Sequence, residues 1–225
     1  MANGTIAVSQ LEILTQSGTG IITVVPPTTN TNRTVTIPDA TTTLVGTDAT
    51  QTLTNKTLST GLVMGASAIT SGTAVASTSG TSIDFTSIPS WVKQITVMFQ
   101  GVSTTGTSKT IIQLGDSGGI ETSGYLGSAT FADGTQTAEN FNTGFIFSMR
   151  TGGTAAIRHG VVICTLVNSA TNAWAEMGNV GDSDTTAITV SGGSKALSAT
   201  LDRVRITTVA GTDTFDAGTI NILYA

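Results

Sequence analysis

The chain has 225 residues, of which 10% are charged and 39% hydrophobic, with a net charge of −5 and a mean hydropathy of +0.24. Few charges combined with positive hydropathy exclude charge-rich disorder, and the composition excludes a coiled coil or long helical bundle, which need Ala, Glu, Lys, Leu and Arg in bulk. Forty-six Thr, 21 Ser and 26 Gly make up about two-fifths of the chain, which predicts an all-β protein, since Thr suits pleated surfaces and Gly suits turns.

The first 84 residues contain no Phe, Trp or Tyr, whereas all eleven aromatics lie between Phe85 and Tyr224. A compact core uses aromatics for large buried area. The sequence therefore divides into an N-terminal arm, residues 1–82, and a C-terminal folded domain, residues 83–225. In the arm, Ile13–Leu14, Gly20–Val25, Arg33–Ile37 and Thr43–Val45 are short strand candidates, punctuated by Pro26-Pro27 and Pro38-Asp39. Runs this short make no stable sheet alone, so Ile13, Leu14, Ile21 and Ile22 are expected to bury themselves against other chains. Thr41–Thr43, Thr47–Thr60 and Thr70–Thr81 read as extended or linker material.

In the C-terminal part, Gln94–Gln100 alternates, with Ile95, Val97 and Phe99 on one face. Gly144–Arg150 alternates likewise, with Phe145, Phe147 and Met149 on one face. Residues 116–142 read as a long loop-like region. Val161–Val167 reads as a strand buried on both faces. Ala173–Met177 is the best helical candidate and is too short to count. Leu201–Val209 places Arg203, Arg205 and Thr207 on an outer face, and Ala217–Tyr224 places Ile220, Ile222 and Tyr224 together. Turn signals stand at Ser117-Gly118-Gly119, Asp133-Gly134, Gly152-Gly153, Gly181-Asp182 and Gly192-Gly193. Many short strands with Gly turns predict an antiparallel, jelly-roll-like β-sandwich.

The chemistry of the sequence points away from catalysis. Gly115-Asp116-Ser117-Gly118-Gly119 matches the string around the nucleophile of trypsin-like proteases, whose mechanism needs a His base and an orienting Asp. The single histidine, His159, follows the Ser, in the wrong order for that family. Asp182 with Asp184, and Asp213 with Asp216, offer oxygens to a cation, but two Asp in a loop more commonly bond their own backbone. No cofactor or metal is expected. Cys164, the only cysteine, excludes an intrachain disulfide and reads as a small buried hydrophobe. Four Lys and five Arg are scattered, so no nucleic-acid footprint forms. No apolar run approaches a membrane span, and Met1–Thr5 lacks signal-peptide features. Trp91, after Ile88-Pro89-Ser90, is expected to seal the core. Trp174, with Glu176 on its face, is expected to be partly exposed. Tyr125, Trp174, Asp133 and Glu121 are the candidate surface-binding residues, three of them in the loop-like region 116–142.

Thr52-Leu53-Thr54-Asn55-Lys56-Thr57-Leu58, preceded by Asp48-Ala49-Thr50-Gln51, resembles a motif repeated in tail fibres and other virion appendages of tailed bacteriophages. Arg33–Ala40 followed by Thr43–Gly46 is similar to fibre sequences in which strand, Pro-Asp turn and strand form one rung of a stalk. Arg203–Thr208 and Gly211–Tyr224 look like the last strands of fibre tip domains. Together these cover about half the chain. The resemblance implies a homotrimer assembled in the host cytoplasm. Its intertwined N-terminal arm would hold phage tail or capsid proteins, through Ile13, Leu14, Ile21 and Ile22. Its C-terminal head would face outward to a host surface glycan or protein. A tail fibre for host attachment is the expected function, with a capsid decoration or head-fibre protein as the alternative.

Overall fold

The computed structural model describes residues 69–151 and 153–225, together with the backbone of two N-terminal strands. The chain divides into two units, Met1–Thr60 and Gly61–Ala225. In the first, β1 (Leu11–Leu14) and β2 (Ile21–Val24) pair antiparallel, Ile13 opposite Ile22 and Leu14 opposite Ile21. These are the first two expected strands. The candidates at 33–37 and 43–45, and the fibre-like motif at 48–58, lie outside the described residues.

The second unit is all-β. Its strands are β3 (Thr70–Ser71), β4 (Val75–Ala76), β5 (Ile83–Phe85), β6 (Gln94–Thr104), β7 (Thr110–Asp116), β8 (Gly119–Ile120) and β9 (Tyr125–Ala132). They continue with β10 (Gln136–Asn140), β11 (Phe145–Ser148), β12 (Arg158–Asn168), β13 (Ala173–Asp182), β14 (Ala187–Ala196), β15 (Leu201–Thr208) and β16 (Phe215–Tyr224). Among the described residues the only helical element is a single 3₁₀ turn, Gly153–Ala155.

Two antiparallel sheets form a sandwich. The larger runs β10-β9-β14-β13-β12-β6-β16-β3, with β4 also on β16. The smaller runs β11-β7-β15-β5, with β8 on β7. The alternation read from the sequence fills the space between them. Ile95, Val97 and Phe99 of β6 are buried, as are Ile112 and Leu114 of β7 and Val204 and Ile206 of β15. Each such side chain contributes about 1.5–3 kcal/mol relative to exposure. Phe99 of the larger sheet stacks on Phe147 of the smaller, with ring centroids 4.2 Å apart. The outer positions Arg205 and Asp84 lie directly opposite each other on β15 and β5, joined by two hydrogen bonds of 2.7 and 2.8 Å.

Several expectations change. The head begins upstream of residue 83, because β3 and β4 add to β16 through Tyr224↔Thr70 and Ile220↔Val75. Two-residue strands extend the sheet there by adding to the ladder of a long one. The stretch 116–142 is not a loop but holds β8, β9 and β10. Ala173–Met177 lies in β13. Val161–Val167 is buried on one face only: Val162 and Cys164 point inward, while Val161 and Val167 are exposed. Gly192-Gly193 is no turn but the middle of β14. There Gly193 lies opposite Gly127, and a Cβ on either would come within 2.7 Å of the Phe141 ring. The glycines make room for an aromatic ring laid across two strands.

Candidate functional site

The residues singled out for surface binding fall into different environments. Tyr125, at the start of β9, is fully buried. On one side of β7, β11 pairs with residues 110–112 and β8 with 115–116, leaving a gap at Leu114. The Tyr125 hydroxyl fills that gap. It accepts the Leu114 N–H at 2.7 Å and donates to the Glu121 carbonyl at 2.9 Å. Burial holds its phenol well above the usual range. Phe145 meets its ring edge-on at 4.9 Å. Tyr125 is a core residue, because a ladder gap inside the sandwich needs a donor–acceptor group that carries apolar bulk.

Trp174 is likewise buried, facing inward from β13 with Glu176, so neither is a surface group. Trp91 is the reverse: it is 53% exposed and leans on Tyr224 at 5.8 Å. Both tryptophan expectations are thus exchanged. Trp91 lies in a turn before β6, outside the strand alternation, whereas Trp174 shares the inward parity of Val180.

Glu121 is committed internally. It pairs with Lys195, whose ammonium lies 5.5 Å from the Tyr125 ring centroid, and it accepts the Ser198 N–H at 2.7 Å. Burial alone would raise the Glu121 carboxyl, but Lys195 and Ser198 outweigh it and hold the carboxyl below its ordinary value. Of the four, Asp133 alone is exposed. It sits in the β9–β10 turn, where its Oδ1 accepts the Thr135 N–H at 3.2 Å.

The protease-like string is a turn. Asp116 Oδ1 accepts the Gly118 N–H at 2.7 Å, and Ser198 Oγ donates to Asp116 Oδ2 at 2.5 Å. Ser198 leads in lowering the Asp116 carboxyl below its usual range, helped by Gly118. Ser117 stands exposed between β7 and β8 in the smaller sheet. His159 lies on β12 of the larger one, its Nδ1 accepting the Gly101 N–H at 3.2 Å and its Nε2 3.2 Å from Ser183 Oγ. Both ring nitrogens are engaged away from Ser117, so the pair needed for serine hydrolysis is not assembled.

Three of the four paired acidic residues are used locally, while Asp182, opposite Arg158 on the neighbouring strand, has both carboxylate oxygens buried without a hydrogen-bond partner. Asp184 accepts from Arg150 at 2.7 Å and from the Ile157 N–H at 3.1 Å. Asp213 accepts the Ser108 N–H at 2.8 Å, and Asp216 accepts from Ser103 Oγ. Among the described residues no group of three His, Cys, Asp or Glu could hold a metal ion.

What the structure does assemble is a cleft of about 340 Å³ beside the β9–β10 hairpin. Phe131 and Met149 line it together with Lys109, Asp133, Glu139 and Arg150. Lys109 pairs with Glu139, and Arg150 pairs with Asp184 at 2.7 Å. The mixture of apolar and charged groups suits a ligand with both an apolar face and hydroxyl or charged groups. Asp133 was legible from the sequence. Phe131 and Glu139 follow once Asp133-Gly134 is taken as a hairpin turn, since Phe131 then pairs with Thr137 and Glu139 with Ala129. Lys109 and Arg150 arrive from distant segments and leave no local signal.

No family model, no curated protein and no solved structure matches this chain.

Proposed function

We propose that the protein is a non-enzymatic structural component of a tailed-phage virion, a trimeric tail fibre that attaches to the host surface. The carrying observation is the combination of fibre-like sequence at 33–58 with an all-β sandwich head in which His159 is engaged by Gly101 and Ser183, away from Ser117. In this reading the arm, with Ile13, Leu14, Ile21 and Ile22, anchors to tail proteins. The cleft holding Asp133 faces the host and takes a surface glycan or a polar protein group. No helix among the described residues is long and apolar enough to cross a membrane.

Immunogold labelling of particles with an antibody against the head tests the reading. Label on the tail supports a fibre. Label spread over the capsid replaces it with a decoration protein, and absence of label from purified particles sinks the virion assignment.

A further inference from the structure

The larger sheet buries one face against the smaller sheet and turns the other away from it. On that outer face Leu126, Met177, Val190, Val161 and Ile188 are exposed, from 38% for Ile188 to 70% for Leu126. The register gathers them into one patch. Val190 lies opposite Asn179 and Thr130, Met177 opposite Ile163 and Gly192, and Val161 opposite Met98. None of the outward positions of β10, β9, β14, β13, β12 and β6 is Asp, Glu, Lys or Arg, nor are Thr219, Asn221 and Leu223 of β16. The charged residues of these strands, among them Glu139, Arg158, Glu176, Asp182 and Lys195, fall on the opposite parity. A solvated protein surface carries about 25–35% charged residues. The smaller sheet obeys that rule on its own outer face, with Arg205 paired to Asp84.

Six strands, β9 to β16, at about 4.8 Å spacing span about 29 Å, and six residues of each span about 20 Å. One such face is therefore about 600 Å², and three copies turning it toward a common axis bury about 1,800 Å² in all, which reaches the range of specific interfaces. A second copy brings an equally uncharged surface, so no ion is stripped of water on contact. A strongly charged partner finds nothing to grip.

We infer that the outer face of the larger sheet is covered by a second copy of this chain and forms the contact between heads. This rests on the reading above that copies associate, and it names the surface. Oxidative footprinting of the full chain, read by mass spectrometry, tests it at Met177. Oxidation of Met follows its exposure, so a covered Met177 reacts about tenfold more slowly in the native protein than in Val190→Lys or Asn179→Lys. Both positions are exposed in the single chain, so these variants leave the core intact. Trp91, off this face, reacts equally in all three. Met177 reacting as fast in the native protein as in the variants overturns the inference. So does protection of Met177 in a species of single-chain mass, where the chain covers its own face. Failure of the virion assignment is read separately, from the particle labelling.

Discussion

Ser191 Oγ donates to Glu176 Oε1 at 2.7 Å inside the sandwich, while Glu176 Oε2 is buried with no hydrogen-bond partner. Burial is the main cause that pushes this carboxyl up to about 7, from an ordinary value of 4.5. Cys164, directly opposite on β12, is also buried, and burial holds its thiol above the usual range. Between those two pH values the folded chain keeps a proton that the unfolded chain releases. Stability therefore falls as pH rises through the window and levels off above 7, a total loss of about 3 kcal/mol. Glu176→Gln removes this slope. Melting temperatures from pH 5 to pH 8 should decline for the native protein and stay closer to level for the variant. Equal declines contradict the assignment.

Tyr125→Phe keeps the ring against Phe145 but deletes the hydroxyl that accepts the Leu114 N–H. An orphaned buried donor costs about 1–3 kcal/mol. The expected result is a lower denaturant midpoint with unchanged slope, measured by chemical unfolding.

How far the sequence reveals this molecule depends on which physical rule acts locally. Ile95, Val97 and Phe99 were readable because one rule, period-two alternation with a single buried face, governs β6. Val161–Val167 misled for a reason of the same kind. Its apolar outer positions satisfy the pattern of a doubly buried strand, yet among the described residues of one chain nothing covers that second face. Gly193 read as a turn because the Phe141 ring that requires it lies 52 residues away. Tyr125 and Trp174 were misplaced because aromatic residues near polar neighbours look like surface groups until parity is fixed by pairing. Among the four candidate contacts only Asp133, held by its own turn, is exposed.

Arg158 shows what pairing adds. It is fully buried on β12, opposite Asp182 on β13, and donates to Ser148 Oγ at 3.0 Å, the Ala156 carbonyl at 3.2 Å and the Arg150 carbonyl at 3.0 Å. Burial raises the Asp182 carboxyl, and Arg158 offsets part of that. Arg158→Leu removes three hydrogen bonds and the positive charge facing Asp182, at an expected cost of about 3–5 kcal/mol. Arg158→Leu combined with Asp182→Asn should cost less than the sum of the single changes. Strict additivity in equilibrium unfolding contradicts the coupling.

Asp133→Asn separates binding from folding. Asn keeps the turn hydrogen bond to Thr135 and removes the charge from the cleft. The melting temperature should stay within about 2 °C of native, since surface changes of this kind stay within about 0.5 kcal/mol. Adsorption of the purified protein to host cells should fall. Unchanged adsorption moves the host-binding site away from this cleft.

The proposed fibre requires that copies of this chain assemble. Native mass spectrometry of the full protein measures that directly. A species of three times the 22.8 kDa chain mass is expected. A lone 22.8 kDa species at micromolar concentration contradicts it.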